Sequence, residues 1–108
     1  MKITDYASIA PRYDKNPVRH QIARDDIIGD LLEEKLNPRV LDLACGTGNY
    51  LAAQCSYYEN AEITWCGHDL SEEMLDSARA KLSRVALSRG MAEDLPFTTG
   101  SFDYVSCN

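Results

Sequence analysis

Val40-Leu41-Asp42-Leu43-Ala44-Cys45-Gly46-Thr47-Gly48-Asn49 is the stretch on which the fold turns. Its first four residues are a short, nearly continuous apolar run, the pattern of a strand buried on both faces of a parallel sheet. Gly46 and Gly48 then interrupt the run. Glycines there permit positive φ angles and let a ligand approach the backbone with no Cβ in the way. Residues 49 to about 58 follow with helical spacing, Leu51, Ala52 and Cys55 pointing inward. A strand passing through a glycine turn into a helix is the first half of a βαβ unit.

The pattern repeats downstream. Residues 63–66 form a second apolar run that ends at Gly67-His68-Asp69. Ser71 is a competent N-cap, and Glu72 and Glu73 suit the positive end of the helix that follows. Its inner face is Met74, Leu75, Ala78 and Leu82. A weaker third strand covers residues 84–88 and a fourth residues 102–107. Upstream, residues 1–16 form an irregular or weakly helical arm that ends at Asn16-Pro17, a helix start. From Val18, the residues Ile22, Ile28, Leu31, Leu32 and Leu36 fall near helical spacing, and Asn37-Pro38 closes that helix.

Strands alternating with helices imply an α/β fold with a parallel, doubly wound sheet, the first strand central and the fourth beside it. The sequence stops at the end of that fourth strand, which would leave an apolar edge unpaired. The expectation is a sheet truncated after the fourth strand, with the rest supplied by further sequence or by another chain. Residues 1–16 are then an arm and residues 17–108 an incomplete single domain.

Composition narrows the partners. Lys and Arg number 11 against 17 Asp and Glu, a net charge of -6, so the chain has no basic surface to offer a nucleic-acid backbone. With 44% hydrophobic and 26% charged residues it is an ordinary globular sequence rather than a disordered one. No segment reaches the length of a membrane span, and residues 1–16 lack the apolar run of a secretory signal. Cys45, Cys55, Cys66 and Cys107 form no C-x-x-C pair, and neither His20 nor His68 is placed to complete a zinc site. The expectation is no metal, reduced cysteines and a cytoplasmic location. Oligomeric state is not legible.

Two features carry chemistry. The turn at Gly46-Thr47-Gly48 is a place for a ligand, or simply a tight turn. A dinucleotide-binding turn wants a third glycine, and Leu51 stands in its place, so a ligand without a pyrophosphate fits better. Asp69 ends the second strand about twenty residues beyond the glycines, where a carboxylate can accept hydrogen bonds from both hydroxyls of a ribose. Its alternative role is a helix-capping or surface acid. Together they point to an adenosine-type ligand.

Residues 40–48, Gly67-His68-Asp69-Leu70-Ser71-Glu72-Glu73-Met74-Leu75, residues 92–97 and residues 102–108 resemble, in order and spacing, the successive motifs of class I S-adenosylmethionine-dependent methyltransferases. They are most similar to the small-molecule type that includes the ubiquinone and menaquinone C-methylases. Tyr6-Ala7-Ser8-Ile9-Ala10-Pro11-Arg12-Tyr13-Asp14 resembles the lid segment of that group. The resemblance implies a Rossmann-like sheet, S-adenosyl-L-methionine as cofactor and a small-molecule methyl acceptor. It implies that the backbone around Ala44, Gly46, Thr47 and Gly48 faces the methionine part, with Asp42 supporting the loop and the amino group. Asp69 would hold the ribose hydroxyls, and Leu70 and Met74 would flank adenine. Ala92 would offer its N–H to the ring, Tyr13 would close over the methionyl carboxylate, and Asn108 would sit near the transferred methyl.

Two departures matter. Ala44 replaces the usual first glycine, a mild change that keeps the loop small. Met91 stands where the family often has an Asp that accepts from the adenine amino group, so adenine recognition is expected to be weaker or altered. No general base is identified, and His68, beside Asp69 in a strand, reads as structural. In the family the acceptor pocket comes from the lid and from segments after the fourth strand. Residues 1–108 alone are therefore expected to bind the cofactor poorly and to show no turnover. The alternatives are a nucleotide-dependent oxidoreductase domain, or a non-catalytic cofactor-binding or interaction fragment.

Overall fold

The structure is a computed structural model, and residues 22–91 and 100–107 are described. In chain order the elements are α1 (Asp26–Glu34), β1 (Arg39–Leu43), α2 (Asn49–Tyr57), β2 (Thr64–Asp69), α3 (Glu72–Lys81), β3 (Val85–Arg89) and β4 (Tyr104–Cys107). The strands make one sheet in the order β3-β2-β1-β4, every pair parallel. The apolar run of β1 therefore lies in the middle, paired on both edges, with β4 beside it as expected. Val40, Leu41 and Asp42 are buried.

The registers align the chemically interesting ends. Asp42 stands opposite Gly67 on one side and Ser106 on the other, and Asp69 stands opposite Arg89. In a parallel sheet all the carboxyl ends open on the same edge, which is where α/β folds place ligands. Helix α3 forms as its sequence predicts. The Ser71 hydroxyl accepts from the Met74 N–H at 3.2 Å, and Met74, Leu75, Ala78 and Leu82 are all buried. The main core joins Ile28, Val40, Leu51, Trp65, Leu75 and Ala78. Truncating a fully buried leucine such as Leu51 or Leu75 costs about 2–5 kcal/mol.

The first helix departs from expectation. Residues 22–25 are not helical, and α1 begins at Asp26. The proposed start at Asn16-Pro17 lies outside the described residues. Asp25 is the N-cap, its carboxylate accepting from the Ile27 N–H at 3.1 Å. The reason the helix starts here is tertiary. The Asp25 N–H donates to Gln54 Oε1 at 2.8 Å, and its carbonyl accepts from the Tyr58 hydroxyl at 2.8 Å. These bonds hold the backbone extended where periodicity suggested a continuing helix. Leu36 is not on an inner face: the helix ends at Glu34, and Leu36 is 98% exposed.

Helix α2 turns Leu51, Ala52 and Cys55 toward the core as expected, Leu51 fully buried and the other two half-buried against it, and adds the fully buried Gln54. A polar side chain occupies a core position because both ends of its amide are satisfied, Oε1 by Asp25 N–H and Nε2 by the Ala23 carbonyl at 2.9 Å.

Candidate functional site

The carboxyl ends of β1 and β2 carry two acids, each about 1% exposed. Burying a carboxylate is costly unless hydrogen bonds replace its water. For Asp69 they come from the backbone. Gly46 N–H donates to one oxygen at 2.8 Å and Ser71 N–H to the other at 2.9 Å. One acid thus ties the glycine-rich loop after β1 to the start of α3. A carboxylate offers about four acceptor positions, so two further donors can be accommodated. Both readings of Asp69 are therefore compatible, a helix-entrance acid that keeps capacity for two hydroxyls. Asp42 accepts from the Ser106 hydroxyl across the strand pair at 2.8 Å.

The loop between them has the backbone that its glycines anticipate. Gly46 has φ +58° and Gly48 φ +84°, both in the left-handed region. A Cβ on Gly46 would meet nothing within 4 Å, so the loop has open space on that side, while its N–H is bonded to the Asp69 carboxylate. A Cβ on Gly48 would come within 2.7 Å of Leu82 and 3.2 Å of Ala78, where α3 packs under the loop. Ala44 also adopts φ +55°. The change from glycine is thus more than one of size, because a Cβ in the left-handed region costs about 1–2 kcal/mol.

Thr47 is 2% exposed, and among the described residues its hydroxyl is a buried side-chain oxygen with no hydrogen-bond partner. Such a group gains by acquiring one. The open space at Gly46, the spare acceptor capacity of Asp69 and the unsatisfied Thr47 hydroxyl together fit a ligand carrying a ribose and a polar chain. They fit a dinucleotide less well. Leu51, where a third glycine would stand, is fully buried and part of the core.

The chain that leaves β3 is fixed by His68. Its ring is buried, with Nδ1 2.7 Å from the Ser88 hydroxyl and Nε2 3.2 Å from the Met91 carbonyl. A carbonyl only accepts, so Nε2 carries the proton and Ser88 donates to Nδ1. His68 is a structural histidine that fixes the chain leaving β3. Met91 is exposed there, Leu70 is half-buried, and Met74 is buried on α3. Tyr13, Ala92 and Asn108 lie outside the described residues.

Cys45, inside the loop, is a buried thiol whose pKa is pushed up to about 12, first by burial and then by the negative charges of Asp69 and Asp42. It stays protonated at neutral pH and offers no nucleophile. Among the described residues no three His, Cys, Asp or Glu side chains gather as a metal site, and no helix is long and apolar enough to cross a membrane.

Five residues near the site were not singled out from sequence: Asp25, Tyr50, Tyr104, Ser106 and Gln54. The Asp25 carboxylate accepts from the Tyr50 hydroxyl and, at 2.8 Å, from the Tyr104 hydroxyl. Ser106 holds Asp42, and Gln54 holds the backbone of Asp25. The available signals were weak: a glutamine three residues after Leu51 on the inner face of a helix, and a serine inside an apolar strand.

Comparison with known proteins agrees with this geometry. Residues 40–108 match the methyltransferase-domain family. A demethylmenaquinone methyltransferase of Chlorobaculum tepidum is 44% identical over 75 residues, covering 69% of this chain and 30% of that protein. Another, from Staphylococcus haemolyticus, is 31% identical over an alignment of 112 positions, covering 95% of this chain and 46% of that protein. Among solved structures, a sugar N-methyltransferase from Streptoalloteichus superposes with a TM-score of 0.63 at 24% identity, over 91% of this chain and 38% of that one. The chain spans less than half the length of these relatives. The chain belongs to the methyltransferase-domain family, among the class I S-adenosylmethionine-dependent methyltransferases.

Proposed function

We propose that the protein transfers the methyl group of S-adenosyl-L-methionine to a small-molecule acceptor, and that residues 40–108 hold the donor. The observation that carries this reading is the Asp69 carboxylate, braced by the N–H of Gly46, a glycine with open space on its Cβ side. In this reading Asp69 accepts from the ribose hydroxyls. The backbone of Ala44, Gly46, Thr47 and Gly48 lies along the methionyl chain, with Asp42 near its amino group. Leu70 and Met74 border adenine, Met91 and Ala92 read its edge, Tyr13 covers the methionyl carboxylate, and Asn108 lies near the methyl. Residues 1–16 act as an arm over a domain that begins at residue 17.

The sulfonium donor supplies an activated methyl group and its own leaving group. The work left to the chain is to bind, to align donor and acceptor at near-attack distance, and to exclude water. The buried Cys45 thiol and the structurally engaged His68 take no part in proton transfer. Demethylmenaquinone, named in the relatives, is the first acceptor to test. Cys45, Cys55, Cys66 and Cys107 are free thiols, which supports a reducing, cytoplasmic setting.

Calorimetric titration of the full-length protein with S-adenosylmethionine, S-adenosylhomocysteine and NAD tests the reading. The first two should bind and NAD should not. Asp69→Asn should weaken binding by about 10–100-fold, the worth of one or two hydrogen bonds to a charged acceptor. Tighter binding of NAD than of S-adenosylmethionine would favour the oxidoreductase alternative.

A further inference from the structure

A polar network runs from the donor loop to the start of α1, and sequence patterning does not reveal it. Ser106 donates to Asp42 at 2.8 Å. Tyr50 donates to Asp25, which accepts from Tyr104 as well. Tyr104 and Ser106 are two apart on β4, so they project from the same face of the strand. Tyr50 is the second residue of α2, two beyond Gly48, so its bond to Asp25 fixes where the helix leaves the loop. The Asp25 backbone is itself held, its N–H donating to Gln54 Oε1 and its carbonyl accepting from the Tyr58 hydroxyl.

We infer that Tyr50 and Asp25 are positioning residues for the methionyl end of the donor, acting through α2 on the glycine-rich loop and through β4, which carries both Tyr104 and Ser106, on Asp42. The inference rests on the S-adenosylmethionine reading of the site. Two phenols converge on one carboxylate, one from the start of α2 and one from β4, the strand whose Ser106 holds Asp42. Burial, and next the Asp25 carboxylate, push the Tyr50 phenol above its ordinary range, so it remains a donor throughout the working pH range. Asp69 also stands on the Ser71 N–H, and the chain leaving β3 stands on His68, neither of which belongs to the glycine-rich loop. The network should therefore act unequally along the ligand.

Two ligands read that inequality in the full-length protein: S-adenosylhomocysteine, and methylthioadenosine, which lacks the amino-acid end. Tyr50→Phe deletes the phenol hydroxyl alone. It should raise Kd for S-adenosylhomocysteine about five- to ten-fold and leave methylthioadenosine within about two-fold. Asp25→Asn keeps an oxygen for the helix cap, asparagine being as good a cap as aspartate, and should shift the same ligand in the same direction. It also carries the test if the tyrosine variant does not fold. Equal loss for both ligands would show a general structural role and overturn the inference, as would no loss for S-adenosylhomocysteine. If the unmodified protein binds neither ligand, the S-adenosylmethionine reading fails first and the inference falls with it.

Discussion

At the carboxyl ends of the strands, Asp42 and Asp69 are buried and draw on a serine hydroxyl and two backbone N–H groups; at the amino ends, Asp103 is only half-buried and meets an exposed lysine. Asp103 accepts from the Lys35 ammonium and from the Arg39 N–H at 2.8 Å, and Arg39 lies 5.5 Å over the Phe102 ring. Salt and water screen that end, and exposed ion pairs contribute little. Asp69 is held by two main-chain donors, which cannot leave, and its geometry persists when a ligand arrives; Asp103 has one main-chain donor, and its second partner is a flexible lysine. The same sheet thus uses one residue type as a fastening at one edge and as a site at the other.

Substitutions at the two ends should separate these roles. The largest effect is expected from Gly48→Ala. Its Cβ would meet Leu82 at 2.7 Å on a backbone with φ +84°, combining overpacking with left-handed strain. Urea denaturation should show a loss of about 2–4 kcal/mol, and donor binding should weaken as the loop shifts off Asp69. Retained stability with retained binding would mean that α3 yields beneath the loop, and that the buried end is less rigid than described.

Ala44→Gly should act in the opposite direction. It removes a Cβ from φ +55° and should stabilise the protein by up to about 1 kcal/mol, the strain relieved less the extra backbone entropy of glycine. A destabilised variant would show that the Ala44 methyl makes contacts that outweigh its strain.

The smallest effect belongs to the amino ends of the strands. The Lys35 ammonium, and next the Arg39 N–H, hold the Asp103 carboxyl below its ordinary value of 3.8. Because the folded value is depressed, its contribution is present above the unfolded value and is lost as pH falls through the folded one. Asp103→Asn should therefore flatten the acid limb of stability below about pH 4, while Kd for S-adenosylhomocysteine at neutral pH stays unchanged. A change in that Kd would show that the two ends are coupled through β1 and β4, contrary to the contrast drawn above.

The residues that were legible share a property: their signals are local. The run at Val40 to Leu43, the glycines at 46 and 48, the acid at 69 and the cap at Ser71 each follow from a handful of neighbours. Their structural positions match. The start of α1 was not legible, because what stops the helix short of residue 25 is Gln54, 29 residues away, and Tyr58, 33 residues away. Gln54 and Ser106 were passed over for the same cause, each being a polar residue whose only justification for burial is a partner distant in sequence.

Sequence alone determined the order of strands and helices, the glycine turn and the acid that follows the second strand, since periodicity, φ preference and capping act over a few residues. Only the tertiary structure decided what the acids touch. Parallel pairing brings Ser106 beside Asp42, and the packing of the loop against β2 brings the Gly46 N–H to Asp69. A hydrogen bond between residues far apart in the chain has no local signature, because its geometry exists only once the strands have paired.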